Sequence, residues 1–282
     1  MKRSIILAAG FLLSSAPLVQ AQSAEPSHLI RIFREDIKSG RGAAHEKVEA
    51  AYVRAFAKTG YTNYVGLDNM TGTSQAWFLE RYDTYAAMEK AIKLSDSEPL
   101  KSVVSQLDAQ DGELRTGERS MIATYQKDLS YLPVPSNLPK AHIYNIQTLR
   151  IRQGHAADFA EMRKLLNASY EKAGQKQRRV VYSVTSGAPA GTYLIFSVMD
   201  SISAMDPKPD AMGMADAFGA EKLARYSKFQ ADLIVSSENT MFNVNPRMSN
   251  PPKEYIDADP DFWAPKPKAA IAKPAAKPAG SQ

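Results

Sequence analysis

The chain has 282 residues, with 35 Lys and Arg against 30 Asp and Glu, a formal charge of +5 and no cysteine. Without cysteine it has no thiol nucleophile, no thiolate zinc site and no cysteine-held iron–sulfur cluster. The positive excess is terminal: Lys2, Arg3, Lys266, Lys268, Lys273 and Lys277 supply six charges, which leaves −1 for residues 4–263 and removes the case for a nucleic-acid partner.

Residues 1–21 read as a secretory signal peptide. Lys2 and Arg3 precede the apolar run Ile5 to Leu13, and Val19 and Ala21 supply small residues at the −3 and −1 positions. The run is nine residues long, too short to be a membrane anchor. A bilayer span needs about 20. The expectation is an exported protein, periplasmic or secreted, with no transmembrane segment after cleavage.

The body that follows repeats itself. His28-Leu29-Ile30 recurs 114 positions later as His142-Ile143-Tyr144, Gly40 as Gly154, and Gly60 as Gly174. Between these, Val48, Ala51, Tyr52 and Phe56 fall on Met162, Leu165, Leu166 and Tyr170, a spacing that marks one face of a helix. At an offset of 117, Asp83 and Met88 meet Asp200 and Met205; at 120, Glu118 and Met121 meet Glu238 and Met241. A drift in one direction with the order kept is what small loop insertions between matching elements produce.

Each copy predicts the same elements. A strand comes first, over 29–36 or 143–150, and Gly40 or Gly154 turns it into a long helix ended by "KTG" or "KAG". Two β-rich runs follow, "YTNYVGL" and "SQAWFLER" in the first copy, "RVVYSV" and "TYLIFSVM" in the second. A second helical region is expected over 84–110 and 201–233, and a closing strand over 119–126 and 238–244. The order βαββαβ is the ferredoxin-like arrangement. The predicted organisation is a first unit over 28–130, a proline-bearing linker over 131–140, a second unit over 141–249 and a disordered tail over 250–282. The Pro, Ala and Lys of residues 264–282 offer little to bury. That tail is read as inert, with weak contact to an anionic envelope surface as the alternative.

A tandem βαββαβ chain of this size resembles the dimeric α/β-barrel superfamily, over roughly residues 28–250. The resemblance implies an α+β fold in which two ferredoxin-like units form a pseudo-dimeric barrel within one chain. The superfamily includes cofactor-free monooxygenases, haem-degrading enzymes, chlorite-dismutase-like haem proteins and stress-response barrels. Haem-degrading members use a Trp on the third strand and a His on the following helix. Trp77 stands on the third strand here, but residues 84–115 contain no His and the second copy has Leu194 at the matching place.

Few residues remain to carry chemistry. The four histidines are His28, His45, His142 and His155. His28 and His142 occupy matching strand starts and are candidate polar anchors beside a shared cavity. His45 and His155 are expected at the surface. His45 and Glu49 share a helix face, but two ligands do not make a metal site, so no metal and no cofactor is expected. "TSGAPAG" lies between two strands, so it is a hairpin loop and not a phosphate cradle. Arg178 and Arg179 are assigned to blunting a strand entrance. Among the strand aromatics, Trp77 and Tyr193 are the candidates for a pocket. The resulting reading is an exported barrel that binds a small apolar or aromatic molecule without metal or nucleotide. A cofactor-free oxygenase is the first alternative, an envelope scaffold the second.

Overall fold

The structure is a computed structural model that describes residues 25–264, apart from 62, 133, 135, 136 and 207–211. The expected signal peptide and the end of the tail lie outside these residues. Eight strands alternate with helices: β1 Leu29–Ile37, α1 Gly42–Thr59, β2 Tyr64–Asn69, β3 Gln75–Tyr82, α2 Tyr85–Ser95, α3 Leu100–Gly112 and β4 Arg115–Tyr125. Then come β5 Ile143–Ile151, α4 Ala156–Lys172, β6 Val180–Ser186, β7 Thr192–Met199, α5 Met214–Phe218, α6 Ala220–Leu233 and β8 Ile234–Val244. Two short helices, α7 Lys253–Ala258 and α8 Pro260–Trp263, follow the last strand.

The strands close into an antiparallel barrel in the order β1-β3-β2-β8-β5-β7-β6-β4. The closing seams join β2 to β8 and β4 to β6, so neither half has a free sheet edge. Alternation along the strands sorts the side chains into two layers. Ile30 and Ile32 point into the barrel with Trp77, Leu79, Ile146, Leu194 and Phe242. Leu29, Tyr82, Leu149 and Ile195 point outward, under the helices.

One glycine is fixed by space. A Cβ on Gly66 of β2 would stand 2.5 Å from the Met248 carbonyl oxygen, so only glycine lets the turn after β8 lie against that strand. The Gly66 N–H donates to Ser249 Oγ at 2.9 Å and the Asn245 N–H to the Gly66 carbonyl at 2.9 Å.

Three expectations need correction. The helical region over 84–110 is two helices, broken at Ser97–Pro99 where proline cannot continue the first. The region over 201–233 is a short 3-10 turn at Ile202–Met205 followed by α5 and α6. The third concerns the tail, which was expected to begin at residue 250. Residues 250–264 instead fold back onto the barrel, with Tyr255 and Trp263 each 5% exposed. Two large aromatic rings give this segment area to bury that the following Pro, Ala and Lys residues lack. Among the described residues no helix is long and apolar enough to cross a membrane.

Candidate functional site

The barrel interior is filled at one end and open at the other. At the filled end Trp77 lies against Phe242, ring centroids 5.2 Å apart, and its Nε1–H donates to Gln75 Oε1 at 2.7 Å. At the other end a cavity of about 640 Å3 runs in from the ends of β1, β3, β5 and β7. Its walls are Ile30, Val65, Leu79, Phe196 and Val198, with Arg81, Tyr144, Tyr182 and Tyr255 among them. Three segments form its rim: residues 25–27, the linker at 137–139, and 252–255.

Arg81 governs the electrostatics. It follows Leu79 by two positions on β3, so the same alternation that buries Leu79 turns its guanidinium inward. It sits 5.2 Å above the Tyr255 ring, and the groups that face it are the phenols of Tyr255, Tyr144 and Tyr182. No ion pair joins it to a carboxylate among the described residues. Burial pushes Tyr144, Tyr182 and Tyr255 above the ordinary phenol value, so all three stay neutral donors at neutral pH. The Tyr182 hydroxyl donates to the Ser27 carbonyl at 3.0 Å, and the buried Tyr255 hydroxyl oxygen faces the Arg81 guanidinium, with no protein acceptor for its O–H among the described residues. An apolar cavity that holds a guanidinium with no carboxylate partner, beside neutral phenols, is complementary to a ligand with an apolar body and an anionic group.

The sequence candidates fall elsewhere. Trp77 does point into the barrel, but it is 2% exposed within the packed end and does not line the cavity. Tyr193 faces outward onto Phe159 of α4, centroids 4.5 Å apart, because its neighbours Leu194 and Thr192 take the other face. His28 is exposed at the start of β1, next to the rim residue Ser27. His142 lies behind the rim, with Nε2 2.9 Å from Asp259 Oδ2 and its ring stacked on Phe262 at 3.8 Å. It fastens the C-terminal segment and does not reach the cavity. Arg178 stands at the mouth and donates to the Val134 carbonyl. His155 is half-buried at the start of α4, Nδ1 2.7 Å from Asp158 Oδ2, but His45, expected at the surface, is 1% exposed beneath α1.

Haem, which the superfamily resemblance raises, does not fit this cavity. No His, Cys or Met is among its lining residues, and the phenols there face the Arg81 guanidinium. The cavity residues that sequence reading missed are Arg81, Tyr144 and Tyr255. Arg81 carried a signal, a charge at an inward-facing position of a strand that is otherwise apolar on that side. Tyr255 carried none, since it lies in the segment assigned to the tail.

No protein-family model and no curated protein sequence matches this chain. Solved structures do. An anthrone oxidase-like protein aligns with TM-score 0.53 at 12% identity, over 78% of this chain and 92% of its own. A protein of Fusobacterium nucleatum provisionally named a monooxygenase aligns with TM-score 0.49 at 11% identity, over 78% and 94% of the two chains. A mutant chlorite dismutase of Candidatus Nitrospira defluvii in complex with cyanide aligns with TM-score 0.46 at 9% identity, over 82% and 95%. The first of these likenesses carries the fold and leaves activity open. Taken with the closed eight-stranded order, it gives the chain the fold of the dimeric α/β-barrel superfamily.

Proposed function

We propose that this chain is an exported protein whose barrel mouth binds a small, largely apolar or aromatic molecule bearing an anionic group. The observation that carries the reading is Arg81, a guanidinium without a carboxylate partner inside an apolar cavity of about 640 Å3. Burying a charge is costly unless a counter-charge arrives with it, and a bound anion supplies one. Tyr255 and Tyr144 add phenol donors beside the guanidinium, and Phe196 offers a flat apolar face.

The finer architecture belongs to the same proposal. The order βαββαβ recurs in the two halves, and the 114-residue offset pairs their elements, which supports two ferredoxin-like copies closing one barrel. Lys2, Arg3 and the apolar run after them support export, and the lysines beyond residue 264 would give any contact with an anionic envelope surface.

Binding is preferred to cofactor-free oxidation. An oxygenase of that kind needs a proton acceptor at the substrate. The cavity interior offers a guanidinium and three neutral phenols, and its acidic lining residues, Glu25 and Glu254, stand exposed at the rim. Native mass spectrometry of the protein purified from its own source tests the reading. A retained small molecule that ionises as an anion after release supports it. A protein that arrives empty and takes up no aromatic carboxylate at millimolar concentration ends it.

A further inference from the structure

Four titratable side chains meet beneath α1, outside the barrel and away from the cavity. Glu35 comes from the outward face of β1, His45 and Glu49 from successive turns of α1, and Asp111 from the last turn of α3. They are 7%, 1%, 5% and 1% exposed, which is deep burial for three carboxylates. His45 Nε2 lies 2.7 Å from Glu35 Oε2, 3.6 Å from Asp111 Oδ1 and 3.9 Å from Glu49 Oε1, and the four ligand atoms all lie within 4.8 Å of one another.

Hydrogen bonding within the protein does not satisfy this group. Arg115 takes the outer oxygens, Nη1 on Glu35 Oε1 at 2.7 Å and Nε on Asp111 Oδ2 at 2.8 Å. Of the inner oxygens, Glu35 Oε2 takes the one contact of hydrogen-bond length to His45 Nε2, at 2.7 Å. Asp111 Oδ1 is buried with no hydrogen-bond partner, and it faces the centre of the cluster. Such an orphaned acceptor is costly, more so when it carries charge. The charge count is also short. With all three carboxylates ionised and His45 neutral, the cluster stands at −2 against Arg115, which the exposed Glu118 also shares.

The matching positions of the second copy show what this place in the fold needs for packing alone. At the 114-residue offset, Glu35, His45 and Glu49 correspond to Leu149, Phe159 and Arg163. Leu149 and Phe159 are part of an apolar cluster under α4. The third, Arg163, is a buried cation that donates to the Leu129 carbonyl, so no acid occupies any of the three matching positions.

The geometry points to a structural site for one divalent first-row metal ion, bound by His45 Nε2 and one oxygen each of Glu35, Glu49 and Asp111. Four donors at about 2.1 Å from one ion stand about 3.4 Å apart, inside the range here, where the distances from His45 Nε2 run from 2.7 to 3.9 Å and no pair exceeds 4.8 Å. One imidazole with three carboxylates suits the ions from Mn2+ to Zn2+, and a dication brings the group to neutrality. Arg115 then acts on the outer oxygens, holding Glu35 and Asp111 in single-oxygen coordination. With all four ligands from the protein and almost no exposure, the ion ties α1 and α3 to β1.

Metal analysis of the purified protein, followed by titration of chelator-treated protein with Zn2+ or Mn2+ alone, tests the assignment. The expected result is about one equivalent bound per chain and a raised melting temperature. Asp111→Asn and Glu49→Gln keep the shape of the site and should each weaken binding about 10- to 100-fold. His45→Phe, the residue at the matching position of the second copy, should abolish it, with circular dichroism checking that the chain is folded. The assignment is overturned if the wild-type protein takes up neither ion with a change in melting temperature. Variants that bind as the wild type does overturn it too, because the ion then sits elsewhere.

Discussion

His142 Nε2 stands 2.9 Å from Asp259 Oδ2 while its ring stacks on Phe262, so a residue at the start of β5 holds down the two helices that follow β8. Nearby, the Trp263 Nε1–H donates to the Pro139 carbonyl at 2.7 Å, tying the same helices to the linker. The rim of the cavity thus depends on residues 250–264. Truncation after Ser249 should lower the melting temperature far more than truncation after Ala264. Trp263→Ala should cost about 3–5 kcal/mol in urea denaturation. Equal melting temperatures for the two truncations would show that the segment contributes nothing.

Trp77 is core. It is 2% exposed against Phe242, with the Arg34 guanidinium 5.3 Å from its ring. Trp77→Ala should cost about 3–5 kcal/mol of stability by opening a cavity at the packed end. At a temperature where the variant is folded, its affinity for cavity ligands should match that of the wild-type protein. Lost binding with unchanged stability would return Trp77 to the site.

Gly66→Ala tests the close approach of the turn after β8. The added Cβ meets the Met248 carbonyl carbon at 2.9 Å as well as its oxygen, and neither atom is the end of a flexible side chain. The expected destabilisation is about 1–3 kcal/mol, read from the denaturation midpoint. A midpoint within error of the wild type would mean that the turn shifts freely.

Matching the two stretches of sequence made most of the strand positions legible. Predicted strands over 29–36 and 143–150 match β1 and β5 to within a residue, because Gly40 and Gly154 end them by the same turn. The helix face was harder. Val48, Ala51, Tyr52 and Phe56 mark the apolar stripe of α1, yet the buried residues are His45, Glu49 and Tyr52. Hydrophobic periodicity cannot find a face that buries charge, and the partners that make such burial tolerable, Glu35 and Asp111, are distant in sequence. The cavity was hidden for a related reason. Arg81 and Tyr144 come together only on barrel closure, and Tyr255 reaches them from a segment whose composition merges into the Pro, Ala and Lys run beyond it.

Arg81, facing three phenols and no carboxylate, is the group proposed to select an anion within the cavity. Trp263 reports on it, since its ring lies 5.5 Å from that of Tyr255 at the rim. Fluorescence titrations with 2-naphthoate and with neutral 2-methylnaphthalene, on the wild-type protein and on Arg81→Leu, measure that selection. A hydrogen-bonded charge contributes about 1.5–3 kcal/mol, so the wild type should bind the carboxylate about 10- to 100-fold more tightly than the neutral probe. Arg81→Leu should lose that preference while keeping its fold. Equal affinity of the wild-type protein for both probes, or a preference that survives in Arg81→Leu, would contradict it.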